Sequence, residues 1–274
     1  MYAHVFLPGS SFLEKNGTFT NAERRISPVR KVMQPKNGYE DWEITVMLSN
    51  ALGYPMNYKH ASEIMDEIAS LTPTFKGVSF EKLDELGSIQ WPCNDESPNG
   101  TPTMHIDKFV RGKGKFFVTE YVPTTEKVNN KFPLIMTTGR ILSHYNVGAQ
   151  TRRTKNIKWH DEDLVEIHPH DAEERGIIEN DWVGITSRAG ETVLRAKITE
   201  RVQPGVVYTT FHHPESGANV ITTDNTDWAT NCPEFKVTAV QLIKVSELST
   251  WQNQYNDFSK KQINFLKKDD AKVD

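Results

Sequence analysis

The chain has 274 residues, 37% of them hydrophobic, and a formal charge of −4 from 32 Lys and Arg against 36 Asp and Glu. That length allows one large domain or two modest ones without disulfide staples, and the balance excludes both a disordered chain and a nucleic-acid binder recognised by charge. No apolar run reaches the roughly 18–20 residues of a membrane span, and no basic-then-apolar leader opens the sequence. Two cysteines, Cys93 and Cys232, are too few for a disulfide framework or a four-cysteine metal site, which points to a reducing cytoplasm.

Residues 3–8, Ala-His-Val-Phe-Leu-Pro, read as a strand ending at proline. A strand needs neighbours, so one placed this early fits a piece of a longer protein better than a natural edge strand. Pro8-Gly9, Asn16-Gly17 and Ser27-Pro28 then mark an irregular, turn-rich stretch. Ile44, Met47, Leu48, Ala51 and Leu52 fall at helical spacing and stop at Gly53 and Pro55. A second helix is expected with Ser62 as its cap and Ile64, Ile68 and Leu71 on the buried face. A third runs from Phe80 to Leu86 and closes at Gly87. Residues 88–112 are a long polar loop, and a short strand is expected at Lys115–Thr119, with a domain boundary near Asn129-Asn130-Lys131.

Beyond the boundary the pattern is β-rich. Strands are expected at 134–138, 164–168, 182–187, 192–199, 206–211 and 235–245, with turns at Asn180-Asp181, Ala189-Gly190 and Pro204-Gly205 and a short helix from His170 to Arg175. Six strands with little helix between them suit a small closed barrel. Leu248, Trp251, Tyr255 and Phe258 then place a helix along the outside over 248–268, followed by a frayed charged end. The expected domains are thus 1–128, 129–247 and 248–274. The fold class is a mixed α/β N-terminal part, a mainly β six-stranded barrel and a C-terminal helix.

Walker, dinucleotide-fingerprint and zinc-protease signatures are absent. The histidine pairs His168/His170 and His212/His213 lack a carboxylate or cysteine at ligand spacing, so no protein-ligated metal is expected. Cys93 and Cys232 read as small packed hydrophobes. One constellation stands out. A strand ends at Thr138, Gly139 and Arg140, and His144, Asn146, Gly148 and Thr151 follow in one loop. Unpaired backbone N–H groups and a guanidinium at a strand end suit phosphate, and the neutral polar groups suit a flat heterocycle attached to it. Further on, Phe211-His212, Asn219 and Phe235-Lys236 offer a second polar set, with Lys236 able to neutralise another negative group.

The run from Thr138-Gly139-Arg140 through His144, Asn146, Gly148 and Thr151-Arg152 resembles the opening of the C-terminal cofactor domain of molybdopterin oxidoreductases. Val165-Glu166-Ile167-His168-Pro169, Asp181-Trp182-Val183, Ala218-Asn219 and Pro233-Glu234-Phe235-Lys236 agree in order. Leu7-Pro8, Gly17-Thr18-Phe19 and Glu23-Arg24-Arg25 resemble a strand-end motif of the preceding domain, and Gln90-Trp91-Pro92-Cys93 with Gly100-Thr101-Pro102 looks most like formate dehydrogenase large subunits.

The resemblance implies a double-psi barrel covering one face of a bis-molybdopterin guanine dinucleotide holding molybdenum or tungsten. Thr138, Gly139, Arg140, His144, Asn146, Gly148 and Thr151 would line one pterin, and Phe211, His212, Asn219, Phe235 and Lys236 would approach from the opposite side. It further implies formate oxidation to carbon dioxide, with 4Fe-4S clusters, metal ligand and catalytic residues all in a part not present here. The partners would be that N-terminal remainder and an electron-transfer subunit, with no nucleic acid and no membrane span. The chain alone would not turn over. A nitrate or other oxyanion reductase of the same family, and a non-catalytic barrel scaffold, are the alternative readings.

Overall fold

A computed structural model describes residues 3–270, excepting the side chains of 262–270. The chain divides into two compact units, residues 1–118 and 119–274.

In the first unit, β1 (Gly17–Thr20) and β2 (Arg25–Val29) form a hairpin, and β3 (Ile89–Gln90) adds to the far side of β2. Sequence reading saw only turns here. Pro28 fits inside β2 because β3 pairs only with Arg25 and Ile26, which leaves the strand flanked on one side at the proline. The helices are α1 (Asp41–Ala51), α2 (Ala61–Leu71) and α3 (Phe80–Leu86). Ile26, Met65, Val78, Leu83, Ile89 and Cys93 make the core. Cys93 is packed inside as a small hydrophobe.

Several expectations fail in this unit. Residues 3–8 form no strand, and Val5, Phe6 and Leu7 are exposed. Lys115–Thr119 is likewise not a strand, with Phe116 and Val118 almost wholly exposed. A strand exists only by pairing, and neither segment finds a partner. α1 forms where its period predicts but buries no residue. α2 buries Ala61 and Met65, one turn apart, and exposes Ile68 and Leu71. Its cap is His60, whose Nδ1 accepts from the Ser62 N–H at 3.2 Å, so Ser62 is already helical. The polar loop after β3 is held by Arg24, whose guanidinium donates to the carbonyls of Trp91, Thr101 and Pro102.

The second unit is a closed barrel. Its strands are β4 (Leu134–Gly139), β5 (Leu164–Ile167), β6 (Trp182–Thr186), β7 (Glu191–Ile198), β8 (Val206–Thr210) and β9 (Thr238–Lys244). They close in the order β4-β8-β5-β7-β6-β9, with β4 parallel to β8 and β5 parallel to β7. Alternation fills the interior: Leu134, Met136 and Thr138 point inward along β4, and Val183 and Ile185 along β6. Asn180 at φ 66° and Gly205 at φ 82° make the turns their types suggest. The short helix α4 (Pro169–Glu174) is capped by His168, whose Nδ1 accepts from the His170 N–H at 3.1 Å. A further short helix, α5 (Ala218–Ile221), was not legible in the sequence.

The last helix, α6 (Thr250–Asp270), docks through its first turn. Gln252 is buried: its Oε1 accepts from the Val193 N–H at 2.9 Å and its Nε2 donates to the Val193 carbonyl at 3.0 Å. One side chain thus pairs with β7 as a neighbouring strand would. Trp251 packs against Gly217, where any Cβ would lie about 2.1 Å from the indole ring. The charged end expected beyond this helix lies outside the described residues.

Candidate functional site at one barrel rim

Because β4 and β8 run parallel with Gly139 opposite Thr210, the loops after them leave the barrel at the same rim. β9 runs antiparallel to β4 with Thr238 opposite Met136, so the residues entering β9 return to that rim as well. Topology therefore gathers segments far apart in sequence. Lys236 Nζ donates to the Thr138 carbonyl at 2.7 Å, and Thr138 Oγ1 donates to the Phe235 carbonyl at 3.0 Å. The Arg140 guanidinium lies 5.3 Å from the Phe211 ring centroid, a cation held over an aromatic face. Arg140 and Lys236 are both exposed. These contacts bring members of both polar sets, Thr138 and Arg140 from the first and Phe211, Phe235 and Lys236 from the second, to one rim.

Gly139 lets the Tyr208 ring pack close against the backbone. A Cβ there would meet the Tyr208 hydroxyl at 2.5 Å, and that hydroxyl donates to the Arg140 carbonyl at 3.2 Å. Burial first, then the nearby Glu166 carboxylate, pushes the Tyr208 pKa up, so it remains a donor. Beside this turn opens a cleft of about 520 Å³ lined by Arg140, Trp159, Glu166, Lys197 and Arg201 among others. Glu166 Oε1 is shared by Lys197 at 3.3 Å and Arg201 at 3.4 Å, which leaves the cations in excess.

The loop from Arg140 to Thr151 is held from within. Gly148, at φ 69°, leaves no room for a side chain, since a Cβ would lie 2.9 Å from the His212 carbonyl. His144 is buried; its Nε2 donates to the His160 carbonyl at 2.7 Å, so its Nδ1 accepts from Thr151 Oγ1 at 3.1 Å. Thr151 Oγ1 in turn accepts from the Tyr145 N–H at 3.2 Å. Asn146, at φ 49°, is exposed, with Oδ1 3.5 Å from the Arg140 guanidinium. Asn219 stands apart: exposed in α5, its side chain makes no hydrogen bond among the described residues. Of the twelve expected site residues, the rim therefore presents Arg140, Asn146, Phe211, Phe235 and Lys236 outward, while His144, Gly148, Thr151 and His212 build the loop.

Sequence reading missed Asp163, which lies just before β5. Its carboxylate is 2% exposed. Oδ1 accepts from Thr210 Oγ1 and from the His212 N–H at 3.1 Å; Oδ2 accepts from the His213 N–H at 2.9 Å and Ser216 Oγ at 2.6 Å. Burial by itself would raise this carboxyl, but the hydrogen bonds from His213, Ser216 and Thr210 outweigh it and hold the pKa at about 2. The residue is the third acid in Asp161-Glu162-Asp163, a run that ordinarily reads as a solvated surface.

The rim can bind a polyanion with planar parts, because it offers exposed cations, an aromatic face and a stiffened backbone turn. Of the histidine pairs, His168 caps α4, and His212 and His213 are buried at 0% and 2% exposure. The sequence did hold carboxylates near His170, since Asp171 and Glu174 bring ligand atoms within 4.8 Å of it on α4. There Asp171 already accepts from the Gly205 N–H at 2.8 Å and has Arg175 at 3.8 Å.

Comparison with known proteins bears on this site. Residues 134–239 match the family described as the molydopterin dinucleotide binding domain, and residues 1–51 match molybdopterin oxidoreductase. The F420-dependent formate dehydrogenase subunit alpha of Methanocaldococcus jannaschii is 41% identical over 249 residues, 89% of this chain and 37% of that protein. F420-dependent formate dehydrogenase 1 subunit alpha of Methanococcus maripaludis is 40% identical over the same shares. The chain thus spans little more than a third of these relatives. Acetylene hydratase from Pelobacter acetylenicus superimposes with a TM-score of 0.65 over 87% of this chain and 38% of that one, at 15% identity, a likeness of fold alone.

Proposed function

The chain belongs to the molybdopterin oxidoreductases, and from that premise we propose that it is the cofactor-holding C-terminal portion of a formate dehydrogenase alpha subunit. The observation that carries this reading is the 41% identity to a formate dehydrogenase alpha subunit over 89% of the chain. The rim residues fit a molybdopterin dinucleotide chemically. Lys236 spends one N–H on Thr138, and Arg140 makes one long contact to Asn146, so both keep donors for phosphate. Phe211, already beneath the Arg140 guanidinium, offers a flat apolar face, and Asn146 an amide that can both donate and accept. Asn219 would have to meet the ligand from α5. When bound, the cofactor supplies the redox chemistry; these residues bind it, orient it and balance its charge.

In this reading the cofactor is the bis form with molybdenum or tungsten, and the iron–sulfur clusters and metal ligand lie outside this chain. The remainder of the alpha subunit and an electron-transfer subunit are its partners. The two cysteines, both free, support a cytoplasmic setting. Among the described residues no helix is long and apolar enough to cross a membrane. The test is an assay of the complete protein with formate and an oxidised dye, against nitrate and a reduced dye. Formate-dependent dye reduction is the expected result. Nitrate-dependent oxidation would move the protein to the oxyanion reductases, and a complete protein that releases no fluorescent pterin on denaturation would leave a scaffold.

A further inference from the structure

We propose that Asp163 and His212 form a positioning relay for the cofactor loop, in which the carboxylate fixes His212 and His212 closes residues 141–146. The relay rests on reading this rim as the cofactor site. Asp163 takes its four donors from residues 210–216, and two of them are the main-chain N–H groups of His212 and His213. It therefore sets the backbone where the chain leaves β8, and with it the direction of the His212 side chain. The imidazole is 0% exposed. Its Nδ1 donates to the Asn146 carbonyl, and its Nε2 accepts from the Ile141 N–H at 3.1 Å. A neutral ring with its proton on Nδ1 satisfies both partners at once and has no nitrogen left to read a heterocycle.

The two anchored points flank the groups that face outward. Ile141 follows Arg140, and Asn146 carries the amide 3.5 Å from that guanidinium. Without the imidazole, the Ile141 N–H loses its partner, and the carbonyl of Asn146, a residue at φ 49°, is no longer tethered. His212 thus acts on a ligand through the loop and is a positioning residue, as is Asp163 behind it.

Amide hydrogen exchange on the complete protein, with cofactor and after its removal, tests the order of the relay. His212→Ala should raise exchange at Ile141 and onward to Gly148 by about tenfold or more, leaving 163–167 and 206–210 unchanged. His212→Gln, whose Oε1 can accept from the Ile141 N–H, should recover part of that protection. Asp163→Asn should loosen both 210–216 and 141–148. An Ile141 amide still protected in His212→Ala overturns the relay, and so does an Asp163→Asn protein loosened only at 210–216. Should Asp163→Asn fail to fold, the His212 pair decides alone. A wild-type protein without pterin would defeat the cofactor reading only, because the exchange pattern is read in its absence as well.

Discussion

Asp163 is a carboxylate with four hydrogen-bond donors and no Lys or Arg among them, and the buried His213 Nδ1 lies 3.2 Å from its Oδ1. Its pKa of about 2 in the folded chain lies below the value of about 3.9 expected when unfolded. The ionised form therefore contributes stability above about pH 4, of order 2 kcal/mol, and that contribution drains away as pH falls towards 2. Asp163→Asn keeps one acceptor but turns an amide NH₂ towards N–H and O–H donors. It should unfold at lower urea than the parent at pH 7, and the gap should narrow at pH 3. A gap that is constant with pH would mean the carboxyl is not held ionised by the fold. His144 and His212 belong to the same scale. Their residue types suggested contact with a ligand, yet both rings spend their nitrogens on the protein.

Among the elements, α6 shows how a surface helix can complete a barrel. Its apolar positions Trp251 and Tyr255 are visible as a stripe, and Trp251 packs against Gly217, but the polar Gln252 is the buried residue that pairs it with the barrel. That side chain pairs with Val193 N–H and C=O and also donates to the Glu215 carbonyl at 3.1 Å. Gln252→Leu conserves bulk and leaves the buried Val193 N–H unpaired, a loss of about 1–3 kcal/mol. A lower urea midpoint with an unchanged slope is the expected reading. An unchanged midpoint would mean that water replaces the amide. The apolar face of α1 is the opposite case: its period makes a helix, and in this unit no core covers it.

For the whole molecule, the decisive question is whether the rim holds the cofactor once the rest of the subunit is present. Arg140 and Lys236 are its exposed cations, reached from opposite ends of the barrel sequence and brought together by the β4–β9 pairing. In the complete protein, Arg140→Ala and Lys236→Ala should each lower molybdenum or tungsten per polypeptide, with the barrel still folded by circular dichroism. Metal content unchanged in both variants would remove those two residues from the binding role. The chain on its own is expected not to oxidise formate, because among the described residues neither Cys93, sealed in a core, nor Cys232, which is exposed rather than packed as expected, lies in a group of possible metal ligands.

The barrel was legible from local pattern, since β4 and β6 bury alternate residues, the other strands are short apolar runs, and Asn180-Asp181, Ala189-Gly190 and Pro204-Gly205 mark the turns between them. So was the strand-end run Thr138-Gly139-Arg140, because a glycine before a cation at the end of an apolar strand already has a physical meaning. Where pairing partners lie far apart, the sequence was silent or misleading. Residues 3–8 and 115–119 have strand composition without a strand to pair with, and hairpin β1–β2 was hidden by its proline. His212 could be noticed but not understood, because its partners Ile141 and Asn146 are 71 and 66 residues away. Asp163 could not be noticed at all, because a carboxylate becomes an organising centre only after four donors converge on it. Periodicity and residue type are properties of neighbours along the chain and determine the elements. Which polar groups lose water together is a property of the folded space, and tertiary structure alone decided that.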